Sequence, residues 1–288
     1  MHTELQSALE EYRKVRAFDA QAWLDDKSSK FNAYMRRCGL KASVVSVSGG
    51  LDSAVTLAIA KYAQQEEDSP VERVVGVCQP IHSSDWALQR GKEVCEALSA
   101  ECVVVDQSDI HDLLCARVQT AFHSQGSEFA RGQLRSYLRT PVAYFSAQLM
   151  SAQGQPCVVL GTGNQDEDGY LAYFCKAGDG VVDVQLISDL HKSEVFKVGA
   201  LLKVPASILE ASPSADLWDG HTDEEELGFS YDFVELLTGV FLPKSEEERT
   251  QFLASLSAEA RSEFQTKSAA AESVHRRNRH KLNFPVNL

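Results

Sequence analysis

Ser48-Gly49-Gly50-Leu51-Asp52-Ser53 lies between a short apolar run at 42–47 (Ala-Ser-Val-Val-Ser-Val) and a second at 54–60. The first run is rich in β-branched residues and suits a buried strand; the second suits a helix packed on a sheet. A glycine pair between them requires a tight strand-to-helix turn, the connection on which open α/β sheets are built. Backbone N–H groups in such a turn can approach an anion closely. The two serines add hydroxyl donors, and the helix N-terminus adds partial positive charge. The run therefore reads as a phosphate cradle, with Asp52 placed to hold a magnesium ion that bridges phosphate oxygens. The plainer alternative is a Gly-Gly turn that only joins strand to helix.

Two common nucleotide signatures are absent. No G-x-x-x-x-G-K-S/T string occurs, and Gly161-Thr162-Gly163 is followed by Asn164-Gln165-Asp166 rather than by the rest of a G-x-G-x-x-G fingerprint. Further strands are expected at 71–78, 102–105 and 156–160, with helices at 85–99, 109–123 and 131–152. Residues 1–38 read as helical, with Asp19 as an N-cap. Strands without polar alternation, separated by helices, predict an α/β fold: a doubly wound parallel sheet with helices on both faces. Ligands in such sheets bind at strand carboxyl ends near the point where strand order reverses, so the Ser48 and Gly161 turns are expected to line one crevice. The last third is expected to be a helical C-terminal region, with helices at 189–203, 205–210 and 231–242 and a charged helical stretch over 245–276. The acidic, turn-rich stretch 212–226 reads either as a solvated surface loop or as a mobile lid. With no repeat and no low-complexity linker, residues 1–288 are expected to form one domain.

Composition narrows the partners. The formal charge of −13 over 288 residues argues against a nucleic-acid surface, so an anionic ligand must be met by local basic groups. No apolar run approaches the length of a membrane span, and Met1-His2-Thr3-Glu4 does not open like a signal peptide. The seven cysteines show no metal-ligand spacing; Cys78, Cys102 and Cys157 fall in apolar runs and are expected to be small buried hydrophobes. A reducing, cytoplasmic setting is the expectation.

The S-G-G-x-D-S run after a buried strand resembles the pyrophosphate loop of the N-type ATP pyrophosphatases, a Rossmann-like superfamily that cleaves ATP between its α- and β-phosphates. Gly161-Thr162, Glu167, Lys176-Ala177-Gly178-Asp179-Gly180, Asp183, Lys192, Pro213-Ser214-Ala215-Asp216-Leu217 and His280-Lys281 follow in the order found in one family of it. From about residue 30 onward the chain closely resembles ammonia-dependent NAD synthetase. The resemblance implies a ligase that adenylates the nicotinate carboxylate of deamido-NAD with ATP, releasing pyrophosphate. Ammonia then displaces AMP to give NAD.

It also implies roles. Ser46, Val47, Ser48, Gly49, Gly50, Leu51, Asp52 and Ser53, with Thr162, Lys192 and Ser214, would bind ATP. Asp52 and Glu167 would hold Mg2+, while Arg139, Lys176, Asp183, His280 and Lys281 would hold deamido-NAD. Asp52, Lys192 and Asp179 would be catalytic, Asp179 by binding ammonium and taking its proton. A homodimer is likewise implied, and the ammonia source, a separate glutaminase or free ammonium, stays open. Taken singly, each residue has a plainer reading: Lys192 in a helix ion pair, Asp179 as a turn residue, the basic tail complementing a helix dipole.

Three departures from the family pattern stand out. Tyr137 occupies a position where the family carries an arginine on deamido-NAD. The spacing from Glu167 to Lys176 is one residue longer, which makes Asp168 a competing metal ligand. Residues 148–156 carry a short insertion, expected on the surface. Rival readings are another enzyme of the same superfamily, such as a GMP synthetase-like amidotransferase or a tRNA modifier, and a nucleotide sensor without catalysis.

Overall fold

Along the computed structural model, which describes residues 1–211 and 223–283, helices and strands alternate as the apolar runs predict. They are α1 (Thr3–Arg16), α2 (Ala20–Arg37), β1 (Ala42–Ser46), α3 (Leu51–Gln64), β2 (Arg73–Cys78), α4 (Asp85–Ala97), β3 (Glu101–Val104), α5 (Ser108–Phe122), α6 (Glu128–Ala152), β4 (Cys157–Gly161), β5 (Val184–Gln185), α7 (Lys192–Leu201), α8 (Ala206–Leu209), α9 (Asp223–Leu227), α10 (Tyr231–Glu235), α11 (Glu246–Ser255) and α12 (Ala258–Asn278). The N-cap at Asp19 is as expected: its carboxylate accepts from Gln21 N and Ala22 N, each at 3.0 Å.

Every strand pair is parallel, and the order is β3-β2-β1-β4-β5. The order reverses between β1 and β4, whose carboxyl ends carry the Ser48 and Gly161 turns. Successive β1 residues serve different faces. Val45 joins a core with α2, α3 and α7, whereas Ala42 and Val44 pack with Ala143, Ala147 and Met150 of α6. Burial on both faces explains why the strand reads as an unbroken apolar run.

A second core gathers α1, α10 and α12 around Leu5, Leu9, Phe233, Leu236 and Phe264. The Phe233–Phe264 and Phe241–Phe264 centroids lie 5.6 and 4.8 Å apart, inclined as aromatic pairs prefer.

Three expectations change. Cys102 is exposed because β3 is an edge strand and all four of its residues are at least partly exposed. Of the acidic stretch 212–226, residues 212–222 lie outside the described residues. Asp223–Leu227 is not loop but the helix α9, whose acidic first turn suits the positive helix end. The insertion over 148–156 is surface only in part: Gln148, Leu149 and 152–154 are exposed, but Met150 turns into the α6 core. Among the described residues, no helix is long and apolar enough to cross a membrane.

Candidate active site

The turn after β1 is shaped by its glycines and serines. Gly49 has φ of +85°, in the left-handed region, and a Cβ there would collide with the Ala87 carbonyl. Gly50 is the N-cap of α3 and offers no side chain to the helix end. The Ser53 hydroxyl donates to Gly50 O at 2.9 Å, and Ser48 N–H donates to Ser53 Oγ at 3.2 Å. Gln79 Nε2 donates to Ser46 Oγ at 3.0 Å and ties the turn to the end of β2. The result is a rigid loop with the N-terminus of α3 facing the crevice and no side chain capping it.

The second half starts at β4. Asn164, fully buried, accepts from the N–H groups of Asp166 and Glu167 with its Oδ1, both at 3.0 Å. It thereby caps a π-helical turn over Gln165–Leu171. Its Nδ2 donates across the crevice to Asp52 Oδ1 at 3.1 Å. The two strand ends therefore form one site, as expected of a switch point. The π turn overlaps the stretch from Glu167 to Lys176, where the sequence carries its extra residue. It directs Glu167 to Lys192, while Asp168 packs over Gly163, where a Cβ would collide with its carboxylate.

Lys192, the first residue of α7, is buried and lies between the two expected metal ligands. Its Nζ donates to Asp52 Oδ2 and, at 2.8 Å, to Glu167 Oε1. Burial works against the ammonium, but the two carboxylates outweigh it and hold Lys192 above the ordinary lysine value. Burial, reinforced by the Glu167 charge, raises the Asp52 carboxyl. Glu167 meets the same burial, yet Lys192 brings it below the usual carboxylate value. Asp168 is held well above its ordinary value, first by burial and then by the charges of Glu167 and Asp179.

Behind this cluster lies a layer that sequence reasoning missed. Asp166 and His191 are both fully buried and share a 2.8 Å contact at Nδ1. Asp166 also accepts from Lys192 N at 2.8 Å, which fixes the start of α7. His191 Nε2 lies 3.1 Å from the Tyr12 hydroxyl, and Arg16 pairs with Glu194. Helix α1 thus braces the base of the site from the far end of the sequence. The Asn164 role had one usable signal, an N-cap residue directly after Gly161-Thr162-Gly163. His191 and Tyr12 carried none.

The remaining expected residues divide. Ser46 through Ser53, Thr162, Glu167 and Lys192 line one crevice, together with Arg139 and Asp179. Asp179 accepts a long 3.4 Å bond from Ser136 Oγ. Lys176, His280 and Lys281 form a knot around the backbone that flanks the crevice residue Tyr173. Lys176 Nζ donates to the His280 and Asn283 carbonyls at 3.2 and 3.1 Å, and Lys281 Nζ to the Ala172 and Phe174 carbonyls at 3.2 and 2.8 Å. Asp183 lines a different depression with Tyr34, Cys38 and Tyr144, accepting from Tyr144 Oη at 3.0 Å and Val159 N at 2.8 Å. Ser214 lies outside the described residues.

A sequence profile described as NAD synthase matches residues 24–285. The chain is 34% identical over 212 residues to the NH3-dependent NAD+ synthetase of Methanococcoides burtonii, covering 73% of this chain and 76% of that one. It is 30% identical over 273 residues to the NH3-dependent NAD+ synthetase of Thermococcus kodakarensis, covering 94% and 98%. Among solved structures, the NMN synthetase from Francisella tularensis matches with a TM-score of 0.76 at 25% identity, over 94% of this chain and 99% of that one.

Proposed function

The chain belongs to the NAD synthase family, and from that premise we propose how its crevice carries out the ATP-dependent amidation of deamido-NAD by ammonia. The observation that supports this most directly is the convergence of Asp52, Glu167 and Lys192 beside the uncapped end of α3. A carboxylate is a poor acylating agent. In the first step a nicotinate oxygen attacks the α-phosphorus of ATP, and pyrophosphate leaves. Charge grows on the phosphate oxygens, where the N–H groups of the Ser46–Ser53 loop and the Lys192 ammonium are fixed in advance. Thr162 and Ser214 complete the ATP contacts.

The donor set fits magnesium: two hard carboxylates already converge on a single cation, the Lys192 ammonium. Asp52 and Glu167 would hold the ion, which when bound neutralises phosphate charge. In the second step Asp179 takes a proton from ammonium, and the resulting ammonia attacks the acyl carbon. The acyl–oxygen bond to AMP breaks, and the nitrogen releases a further proton to solvent to leave the amide. Arg139 holds the substrate within the crevice.

Lys176, Asp183, His280 and Lys281 bind the rest of deamido-NAD in this reading, at a site that a second copy would complete. Helices α5 and α6 support a homodimer. They expose Ile110, Leu113, Val118, Phe122, Phe129 and Phe145, and such surface suits burial against a partner. Seven cysteines without a disulfide among them suit a reducing cytoplasm. A separate glutaminase is a further source of ammonia in this reading.

Incubation with ATP, magnesium, deamido-NAD and ammonium tests the reaction: NAD, AMP and pyrophosphate are expected, and ADP with phosphate, or no turnover, would refute it. Asp52→Ala should abolish pyrophosphate release. A second reading, in which the substrate is the mononucleotide acid, draws on Tyr137 and on the likeness to the NMN synthetase. Parallel assays with deamido-NAD and nicotinate mononucleotide separate the two by kcat/KM.

A further inference from the structure

A second polar cluster lies on the other side of the β2–α4 connection, away from the carboxylates of the crevice. His82 has φ of +51°, unusual for a residue with a side chain. Its N–H donates to Ser108 Oγ at 3.1 Å, so the turn after β2 is held against the start of α5. On α5, His111 is buried. Its Nε2 lies 3.2 Å from the Arg131 carbonyl, which can only accept, so that nitrogen carries the proton. In the neutral ring Nδ1 then presents a lone pair, and it faces Asp112 Oδ1 at 3.2 Å. The same oxygen lies 2.7 Å from His82 Nε2. Two electron-rich atoms thus face each other across a gap that a cation would reconcile.

We propose that His82, His111 and Asp112 form a binding site for a zinc-class divalent transition-metal ion, separate from the nucleotide reaction. The three ligand atoms lie within 4.8 Å of one another. A zinc ion with bonds of about 2.0–2.1 Å sets tetrahedral ligand atoms roughly 3.3 Å apart, against 3.2 and 2.7 Å for the His111 and His82 contacts with Asp112 Oδ1. Asp112 and His82 are 62% and 41% exposed, free to open the shorter contact. His111 is oriented as a metal-bound histidine usually is, its other N–H held by a backbone carbonyl. Two imidazoles and one carboxylate favour zinc, cobalt or nickel over magnesium. Cys115 Sγ lies 3.6 Å from Nε2, at the far side of the ring, and is not part of the set. Bound metal would clamp the turn after β2, whose Gln79, Pro80 and Ser83 line the crevice, to α5.

The test is cobalt titration of the chelator-treated full chain, read by visible absorption and by metal content. One equivalent per chain is expected. Its ligand-field band should lack thiolate charge transfer, be displaced by zinc and be unmoved by excess magnesium. His82→Ala and Asp112→Asn alter exposed side chains, and thermal melts of the metal-free variants check that they fold. Each should weaken cobalt binding by more than the roughly 10–100-fold typical of substitutions outside the ligand set. Unchanged binding in both folded variants overturns the proposal. So does sub-stoichiometric uptake, which leaves a protonated His111 paired with Asp112, and so does a charge-transfer band, which puts the ion on the cysteines.

Discussion

Asn164 Nδ2 donates to Asp52 Oδ1 at 3.1 Å across 112 positions of sequence, and so holds the two halves of the crevice in one geometry. Its other atom, Oδ1, caps the π turn that presents Glu167. Asn164→Ala removes three side-chain hydrogen bonds at a fully buried position and should cost about 1–3 kcal/mol of stability. Misplacing Asp52 and Glu167 should lower kcat/KM for ATP by roughly 100-fold. Asn164→Asp keeps the cap but sets a third carboxylate against Asp52. It should fold better than the alanine variant and react no faster. Melting curves beside steady-state kinetics give the comparison, and an aspartate variant with wild-type activity would contradict the positioning role.

Gly49 meets two restrictions at once, a φ of +85° and the nearby Ala87 carbonyl. An alanine in that backbone region costs about 1–2 kcal/mol before any collision is counted. The turn must then shift, which moves the N–H groups of the phosphate loop. Gly49→Ala should raise KM for ATP at least tenfold and lower the melting temperature. Gly154, also at positive φ but with open space around it, serves as the control. Gly154→Ala should leave KM unchanged.

How much of this was legible in the sequence depended on where each signal was stored. β1 and β4 were readable because burial on both faces leaves a continuous apolar run, and Gly161 was readable as the end of one. β5 is two residues long and exists only through its pairing with β4, so no local pattern marks it. Of the two carboxylates that the sequence left in competition, Glu167 and not Asp168 reaches Lys192. The π turn that decides between them is a response to tertiary packing and to Asn164. The bracing by Tyr12 and His191 links residues 179 positions apart, and neither type announces such a contact. Lys176, His280 and Asp183 were grouped by the resemblance alone; Lys176 bonds the His280 carbonyl, while Asp183 lies in another depression.

Asp168 gives a pH-dependent signature. Burial, with Glu167 and Asp179 nearby, holds its carboxyl well above the ordinary aspartate value in the folded chain. The folded state therefore keeps a proton that the unfolded state has released. Stability must fall as pH rises from about 4 through the folded value, and the penalty is complete above it. Asp168→Asn has nearly the same shape and no proton to lose. The variant should melt higher than the parent at pH 8 and level with it at pH 4, each kcal/mol reading as roughly 2 °C for a chain this long. An equal difference at both pH values would show that the asparagine acts through packing instead.

The exposed apolar surface of α5 and α6 makes the last prediction. Leu113 is 59% and Phe122 78% exposed, and both belong to α5. A homodimer through this face would bury them, with Phe129 and Phe145 of α6 beside them. A glutamate on the outside of a helix costs a monomer little, usually within about 0.5 kcal/mol. The same change at the centre of an apolar interface leaves a charge with no partner and splits the pair. Leu113→Glu with Phe122→Glu should halve the mass measured by light scattering and leave the circular dichroism unchanged. If a second copy completes the dinucleotide site, KM for deamido-NAD should rise more than tenfold in the monomer, with ATP binding unaltered. A parent chain that already runs as a monomer would remove the basis for the shared site. A monomeric variant with unchanged KM would place the whole dinucleotide on one chain.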